Sequence, residues 1–183
     1  MSRRFGPIRQ VAYVVHDIEK AMKHWVEVIG VGPFFYLEKV RSGSSTYRGR
    51  PTSLQMSLAI SQSGPLQIEL IQQHNDAPSQ FREFLDAGRE GQHHVAFWTK
   101  TFDDDLARYQ REGLEILSTA NVAPNRNAFF SAQGHSGTMI EISEISGSKG
   151  EFFRKAAEIA ASWDGSNPIR RITRMALEAI ETS

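Results

Sequence analysis

The chain has 183 residues, 40% of them hydrophobic, enough for one domain with a sizeable core or two small halves of one. Lysine plus arginine equals aspartate plus glutamate, 21 each, so the basic excess of a nucleic-acid binder is missing. There is no cysteine, which removes disulfides, thiolate catalysis and sulfur-ligated metal, and no apolar run suits a membrane span or a signal peptide, so a soluble, cytoplasmic protein is expected.

IRQVAYVV, 8–15, reads as a strand, and His16-Asp17 leads into a helix over 18–29 that Gly30 stops. FFYLEKV, 34–40, is a strand. RSGSSTYRGRPT, 41–52, is polar and predicts a mobile loop or a hairpin. SLQMSLAIS, 53–61, and LQIELIQ, 66–72, are strands joined around Ser63-Gly64-Pro65. Asp76 is positioned to cap a helix from Pro78 to Ala87, closed by Gly88. QHHVAFWT, 92–99, is a strand and FDDDLARYQREG, 102–113, a helix. LEILST, NAFFSA and TMIEISEI are three further strands.

The order therefore repeats, as βαβββ and again βαβββ. QVAYVV at 10–15 lies on HVAFWT at 94–99, and LQIELI at 66–71 on TMIEIS at 138–143. Chance similarity of two strand–helix units is the alternative. Beyond the repeat, GEFFRKAAEIAASW, 150–163, predicts an amphipathic helix, and Ser166 or Asn167 a cap for a second helix from Pro168 to Ile180. The fold class is α+β: paired βαβββ modules, about 8–75 and 92–146, in a domain spanning 1–147, with a helical extension at 148–183.

Strand alternation sorts the polar residues. Gln10 and His94 occupy equivalent places in the first strands of the two modules, and Glu69 and Glu141 equivalent places in the last. If the two sheets close around one cavity, these four converge. Amide, imidazole and two carboxylates make a reasonable set for one divalent ion, with Co, Zn, Ni, Mn, Mg and Fe all admissible. Otherwise Gln10 and His94 are satisfied sheet residues and the glutamates end edge strands in water. In GQHHVAFWTK the two histidines point to opposite faces, which makes His94 the ligand and His93 a structural residue on the helix side. Trp98 shares the face of His94 and walls the pocket or packs in the core. Phe129 and Phe130 alternate, so one faces the cavity, and we assign that place to Phe130. Arg48 and His135 are further candidates for substrate contact, with a solvated loop as the alternative for Arg48.

QVAYVVHDIEKAMKHW, LQIELIQ, GQHHVAFWT and GTMIEIS resemble the vicinal oxygen chelate superfamily of glyoxalase I, methylmalonyl-CoA epimerase, extradiol dioxygenases and bleomycin-resistance proteins. The resemblance covers residues 8 to about 145 and is nearest to the epimerase and glyoxalase side. It implies an open curved barrel, a metal held by Gln10, Glu69, His94 and Glu141, and a homodimer. It also implies a small-molecule carbonyl or acyl-CoA substrate whose alpha proton is abstracted, with Glu69 and Glu141 as acid and base. A glyoxalase I-like lyase and a non-catalytic binding protein of the resistance type are the alternatives. With one histidine in the set, a dioxygenase is disfavoured, since its iron needs two.

Overall fold

The structure, a computed structural model, describes residues 2–122, 125–131 and 133–173. The first module opens with β1 (Gln10–Val14). Asp17 caps the helix that follows, accepting from the Lys20 amide at 2.9 Å, a contact of the kind that contributes about 1 kcal/mol. That helix, α1 (Ile18–His24), continues as one π-helical turn, Trp25–Ile29, and stops at Gly30, which takes a φ of 79°. Next come β2 (Phe34–Arg41), β3 (Ser44–Tyr47), β4 (Arg50–Thr52), β5 (Gln55–Ser63) and β6 (Leu66–Gln73).

A short helix, α2 (Gln80–Asp86), leads to the second module. Its cap is Ser79, which accepts from the Arg82 amide at 2.9 Å, and not Asp76 as expected. Asp76 instead pairs with the Arg82 side chain from an exposed position. The second module holds β7 (Gly91–Thr99), α3 (Phe102–Arg111), β8 (Ile116–Val122), β9 (Asn125–Phe130) and β10 (Met139–Glu144). Three aspartates in the first turn of α3 and two arginines in its last complement the helix dipole. The chain continues as α4 (Gly147–Ala161) and β11 (Ile169–Arg171).

Among the described residues, one sheet of 11 strands runs β11-β2-β5-β6-β1-β7-β10-β9-β8-β3-β4. β1 pairs parallel to β6, β7 parallel to β10, and β1 antiparallel to β7. The first and last strands of both modules are thus four neighbours at the centre of the sheet, which is why residues far apart in sequence can meet there.

The polar stretch 41–52 forms the β3–β4 hairpin, and β3 pairs with β8 of the other module. Only Ser42 and Gly43 separate the end of β2 from the start of β3, although those strands lie near opposite ends of the sheet order. A residue spans at most about 3.6 Å of extended chain, so the sheet must curl until its ends approach each other. The result is an open, curved barrel.

Residues 169–171 are not helical, contrary to the sequence reading. They pair parallel with β2, Phe34 N–H donating to Pro168 O at 2.7 Å and Ile172 N–H to Tyr36 O at 2.9 Å. The free edge of β2 offers unpaired backbone groups, and that demand overrides local helix propensity. The rest of the expected helix, 174–180, lies outside the described residues.

The alternation expected of the strands sets the cores. Val15, Ile18, Met22, Phe34, Ile68 and Leu70 pack between sheet and α1. Phe97, Phe102, Tyr109, Phe130 and Ile142 do the same under α3. Phe152 and Ala156 of α4 pack on Phe35 and Ile60, the opposite face of β2 and β5. The extension is also held at Gly32, where a Cβ would sit 2.6 Å from the Trp163 ring, so only glycine fits. No described helix is long and apolar enough to cross a membrane.

Candidate metal centre

The inner face of the four central strands carries the polar set. In register, Glu69, Ala12, His94 and Met139 form one row across the sheet, and Gln67, Gln10, Ala96 and Glu141 the next. Glu69, His94 and Glu141 thereby present ligand atoms that all lie within 4.8 Å of one another. His94 Nε2 is 2.9 Å from Glu141 Oε2 and 3.7 Å from Glu69 Oε2. Gln10 lines the same cavity, its Nε2 donating to Gln67 Oε1 at 2.6 Å, which leaves the Gln10 carbonyl oxygen as the free end of that amide.

Electrostatics separate the two glutamates. Burial and the facing charge of Glu141 push the Glu69 carboxyl up to about 8. Burial acts on Glu141 in the same sense, but the His94 imidazole beside it, with help from Lys149 and the Ser143 hydroxyl, holds it below the usual range. His94 Nε2 is buried and makes no regular hydrogen bond, although it points at two carboxylates. An imidazole nitrogen that faces two carboxylates without a regular hydrogen bond is left unsatisfied, and the arrangement suits a shared cation. Imidazole nitrogen with carboxylate and amide oxygens is a donor set for a divalent ion. The residues fit the metal that the sequence suggested.

His93 departs from expectation. The pairing of β1 with β7 matches Ala12 to His94 and then Tyr13 to Gln92, so His93 is the extra residue of a β-bulge. A bulge breaks strict alternation and re-aims side chains. The His93 and His94 rings therefore meet, Nδ1 to Nδ1, at 2.9 Å, instead of pointing apart. His93 is buried against Phe81 and Phe84 of α2, and its Nε2 lies 3.3 Å from Gln80 O. A carbonyl only accepts, so His93 Nε2 carries the hydrogen. Burial, with the neighbouring His94, holds the His93 imidazole neutral by pushing its pKa down to about 3. Its Nδ1 must then accept from His94 Nδ1–H, so His94 Nε2 is the atom turned toward the glutamates, where it can share a proton with Glu141 or, with that proton displaced, take a metal. His93 fixes the tautomer that a metal needs. Gly91, inside the strand with a φ of 113°, is the sequence signal that a bulge was near.

The four substrate-facing assignments fare differently. Phe130 is fully buried under α3, and it is Phe129 that lines the cavity. The bulge does not reach β9, so ordinary alternation decides between them. Arg48 sits on the exposed β3–β4 turn and pairs with Glu83 at 3.1 Å, outside the cavity wall. His135 is exposed, its Nδ1 donating to Ser136 O at 3.1 Å, and is not among the lining residues. Trp98 stands behind the wall, 5.2 Å from the Phe153 ring, with Arg9 over its face.

The cavity, of ≈ 280 Å³, is mainly apolar, with Phe35, Leu58, Ile60, Phe129 and Phe153 among its walls. Sequence reasoning missed two charged residues in it, Arg41 at the end of β2 and Lys149. Lys149, on the first turn of α4, lines the cavity and donates to Ser143 Oγ at 2.7 Å. Burial depresses its ammonium, against the opposing pull of Glu141, Glu69 and Glu144. Its spacing from Phe152 and Phe153, three and four residues on, marks it as belonging to the apolar face of α4.

Residues 9–130 match the family model of the Glyoxalase/Bleomycin resistance protein/Dioxygenase superfamily. Among solved structures the chain is similar to a hypothetical protein from Bacillus halodurans C-125, with a TM-score of 0.54 and 18% identity over 76% of this chain and 94% of that one. It is equally similar to methylmalonyl-CoA epimerase from Mycobacterium tuberculosis, with a TM-score of 0.54 and 17% identity over 79% and 91% of the two chains. A variant methylmalonyl-CoA epimerase of Streptomyces coelicolor in complex with 2-nitronate-propionyl-CoA gives 0.50 and 19% over 75% and 92%. At these identities the likeness is one of fold. No curated protein sequence matches the chain.

Proposed function

The chain belongs to the Glyoxalase/Bleomycin resistance protein/Dioxygenase superfamily, and from that premise we propose that it is a divalent-metal-dependent enzyme that abstracts a proton alpha to a carbonyl, in the manner of a methylmalonyl-CoA epimerase. The observation that carries the reading is the cluster of Glu69, His94 and Glu141 at one side of an apolar cavity, with His94 Nε2 unpaired between the carboxylates. Gln10, Glu69, His94 and Glu141 would hold the ion. A divalent ion there supplies Lewis-acid stabilisation of an enolate.

The protein's own groups divide the remaining work. Glu141 is kept ionised by its neighbours. Glu69 stands farther from His94, is partly exposed, and has a carboxyl raised toward neutral pH, which suits a group that takes and returns a proton. The aliphatic and aromatic walls keep water from the carbanion side of the substrate. A single imidazole argues against iron-dependent dioxygenation. A homodimer and a cytoplasmic location complete the proposal, the first tested by sedimentation velocity.

The direct test loads the protein with cobalt and incubates it with methylmalonyl-CoA and other acyl-CoA thioesters in deuterated water. Deuterium entering the alpha position supports the reading. Exchange on no thioester overturns the epimerase assignment and favours glyoxalase I-like lyase chemistry or a binding role.

A further inference from the structure

The metal-ligand cluster accounts for one side of the cavity. Beside it lies a second polar group of residues to which the ligand set gives no task. Lys149 Nζ donates to Ser143 Oγ and sits 5.6 Å from the Phe153 ring centroid. Among the described residues, no carboxylate lies within ion-pair distance of it. An ammonium has three hydrogens to donate, and among the described residues this one has a single hydrogen-bond acceptor, Ser143 Oγ. Ser143 pairs across the sheet with Asn127, whose Oδ1 is buried and unpartnered, and Ser118 Oγ nearby on β8 is likewise buried without a partner. All four side chains line the cavity. A cation with hydrogens to spare and an orphaned hydroxyl in one apolar enclosure are costly unless something polar and negative completes them, whereas Asn127 Oδ1, an acceptor, calls for a donor on the same guest.

We propose that Lys149 is a catalytic residue whose ammonium binds the anionic oxygen formed on the substrate when the alpha proton leaves. The proposal rests on the enolate-forming reading above and deepens it. A carboxylate takes the proton, the C–H pair becomes the C=C bond, and the carbonyl π pair moves onto oxygen. No oxidant or further reactant is needed. Fixed cations placed where that charge develops lower the barrier, and do so most in a water-poor site. Ser143, which accepts from Lys149 and turns its own hydroxyl toward Glu141, fixes the spacing between cation and carboxylate. The extension beyond the two modules thereby supplies a working group of the site, and α4 is more than a cover.

The probe is oxalate, a planar dianion that resembles an enediolate. Its binding is measured calorimetrically on the metal-free and the cobalt-loaded full chain, for wild type, Lys149→Met and Lys149→Arg. Cobalt affinity is measured separately on each. Loss of a charge-assisted hydrogen bond predicts oxalate binding weakened by roughly 10- to 100-fold in Lys149→Met, with partial recovery in Lys149→Arg and unchanged cobalt affinity. Equal oxalate affinity in wild type and Lys149→Met overturns the proposal, as does failure of wild type to bind oxalate. Loss of cobalt affinity together with oxalate also overturns it, since Lys149 would then be structural. Should Lys149→Met not fold by circular dichroism, the same comparison is made with Lys149→Gln and with wild type carrying 13C-dimethylated lysines. A Lys149 methyl signal that does not move on adding oxalate overturns the proposal by itself. If wild type takes up no cobalt, the metal reading fails alone, and oxalate binding to the metal-free chain still judges Lys149.

Discussion

The two modules reach the cavity by the same strand plan and end in different chemistry. The second brings His94 and Glu141 together at 2.9 Å, with His93 behind them fixing the imidazole. The first brings an amide pair, Gln10 on Gln67, and a glutamate 3.7 Å from His94 whose proton is held tightly. One half is a preformed anionic seat. The other is softer, neutral when metal-free, and responsive to pH. A repeat of one architecture thus divides labour: the second module anchors, and the first adjusts.

The comparison breaks first at His94. Replacement by alanine is expected to abolish cobalt uptake in a calorimetric titration, because among the described residues no other imidazole joins the carboxylate cluster. Glu141→Gln keeps the shape and removes the charge that faces His94. Turnover should vanish and cobalt should bind far more weakly; full activity would remove Glu141 from the mechanism. His93→Phe fills the same space among Phe81 and Phe84 but accepts no hydrogen bond. Lost outer support of a metal-ligating histidine costs about 10- to 100-fold in metal affinity. Imidazole nitrogen shifts in NMR should show His94 no longer held as the Nδ1–H tautomer.

Glu69 tests the softer half through pH. Its folded value of about 8 exceeds its ordinary 4.5. Between those values the folded chain keeps a proton that the unfolded chain has released, so metal-free stability falls as pH rises. His93, held down to about 3, acts in the opposite sense, and its contribution is lost as pH drops below its ordinary 6.5. From pH 6.5 to 8 Glu69 sets the falling slope, and Lys149, whose ammonium burial depresses, opposes it as the pH rises toward its ordinary range. Thermal melts of the metal-free chain should lose stability over that window, and Glu69→Gln should flatten the loss. The smallest effect is expected from Gln10→Ala, a neutral donor whose removal should weaken cobalt binding only several-fold, since amides are poorer ligands than carboxylates or imidazole.

Much of this division could be read from residue order alone. The 3.6-residue spacing in α1 and α3 and the twofold spacing in β1, β6, β7 and β10 placed the helix-side cores and brought Gln10, Glu69, His94 and Glu141 to one face. What escaped were places where tertiary demand changes the local rule. The bulge at His93 joins two rings that strict alternation would part. The edge of β2 recruits residues 169–171 into the sheet where a helix was expected. The β3–β4 hairpin pairs with a strand of the other module, a long-range choice that no local pattern encodes. Lys149 lies one residue before the helix expected at 150–163, and only the curl of the sheet shows that the helix, which starts at Gly147, carries it to the cavity.

The central claim is that four residues from two modules hold one divalent ion. Titrating the metal-free protein with cobalt(II) and recording its X-ray absorption tests it most directly. One ion per chain, bound by a single imidazole nitrogen with oxygen donors for the rest, is the expected result. No uptake, or an ion bound by two or more imidazoles, would contradict it.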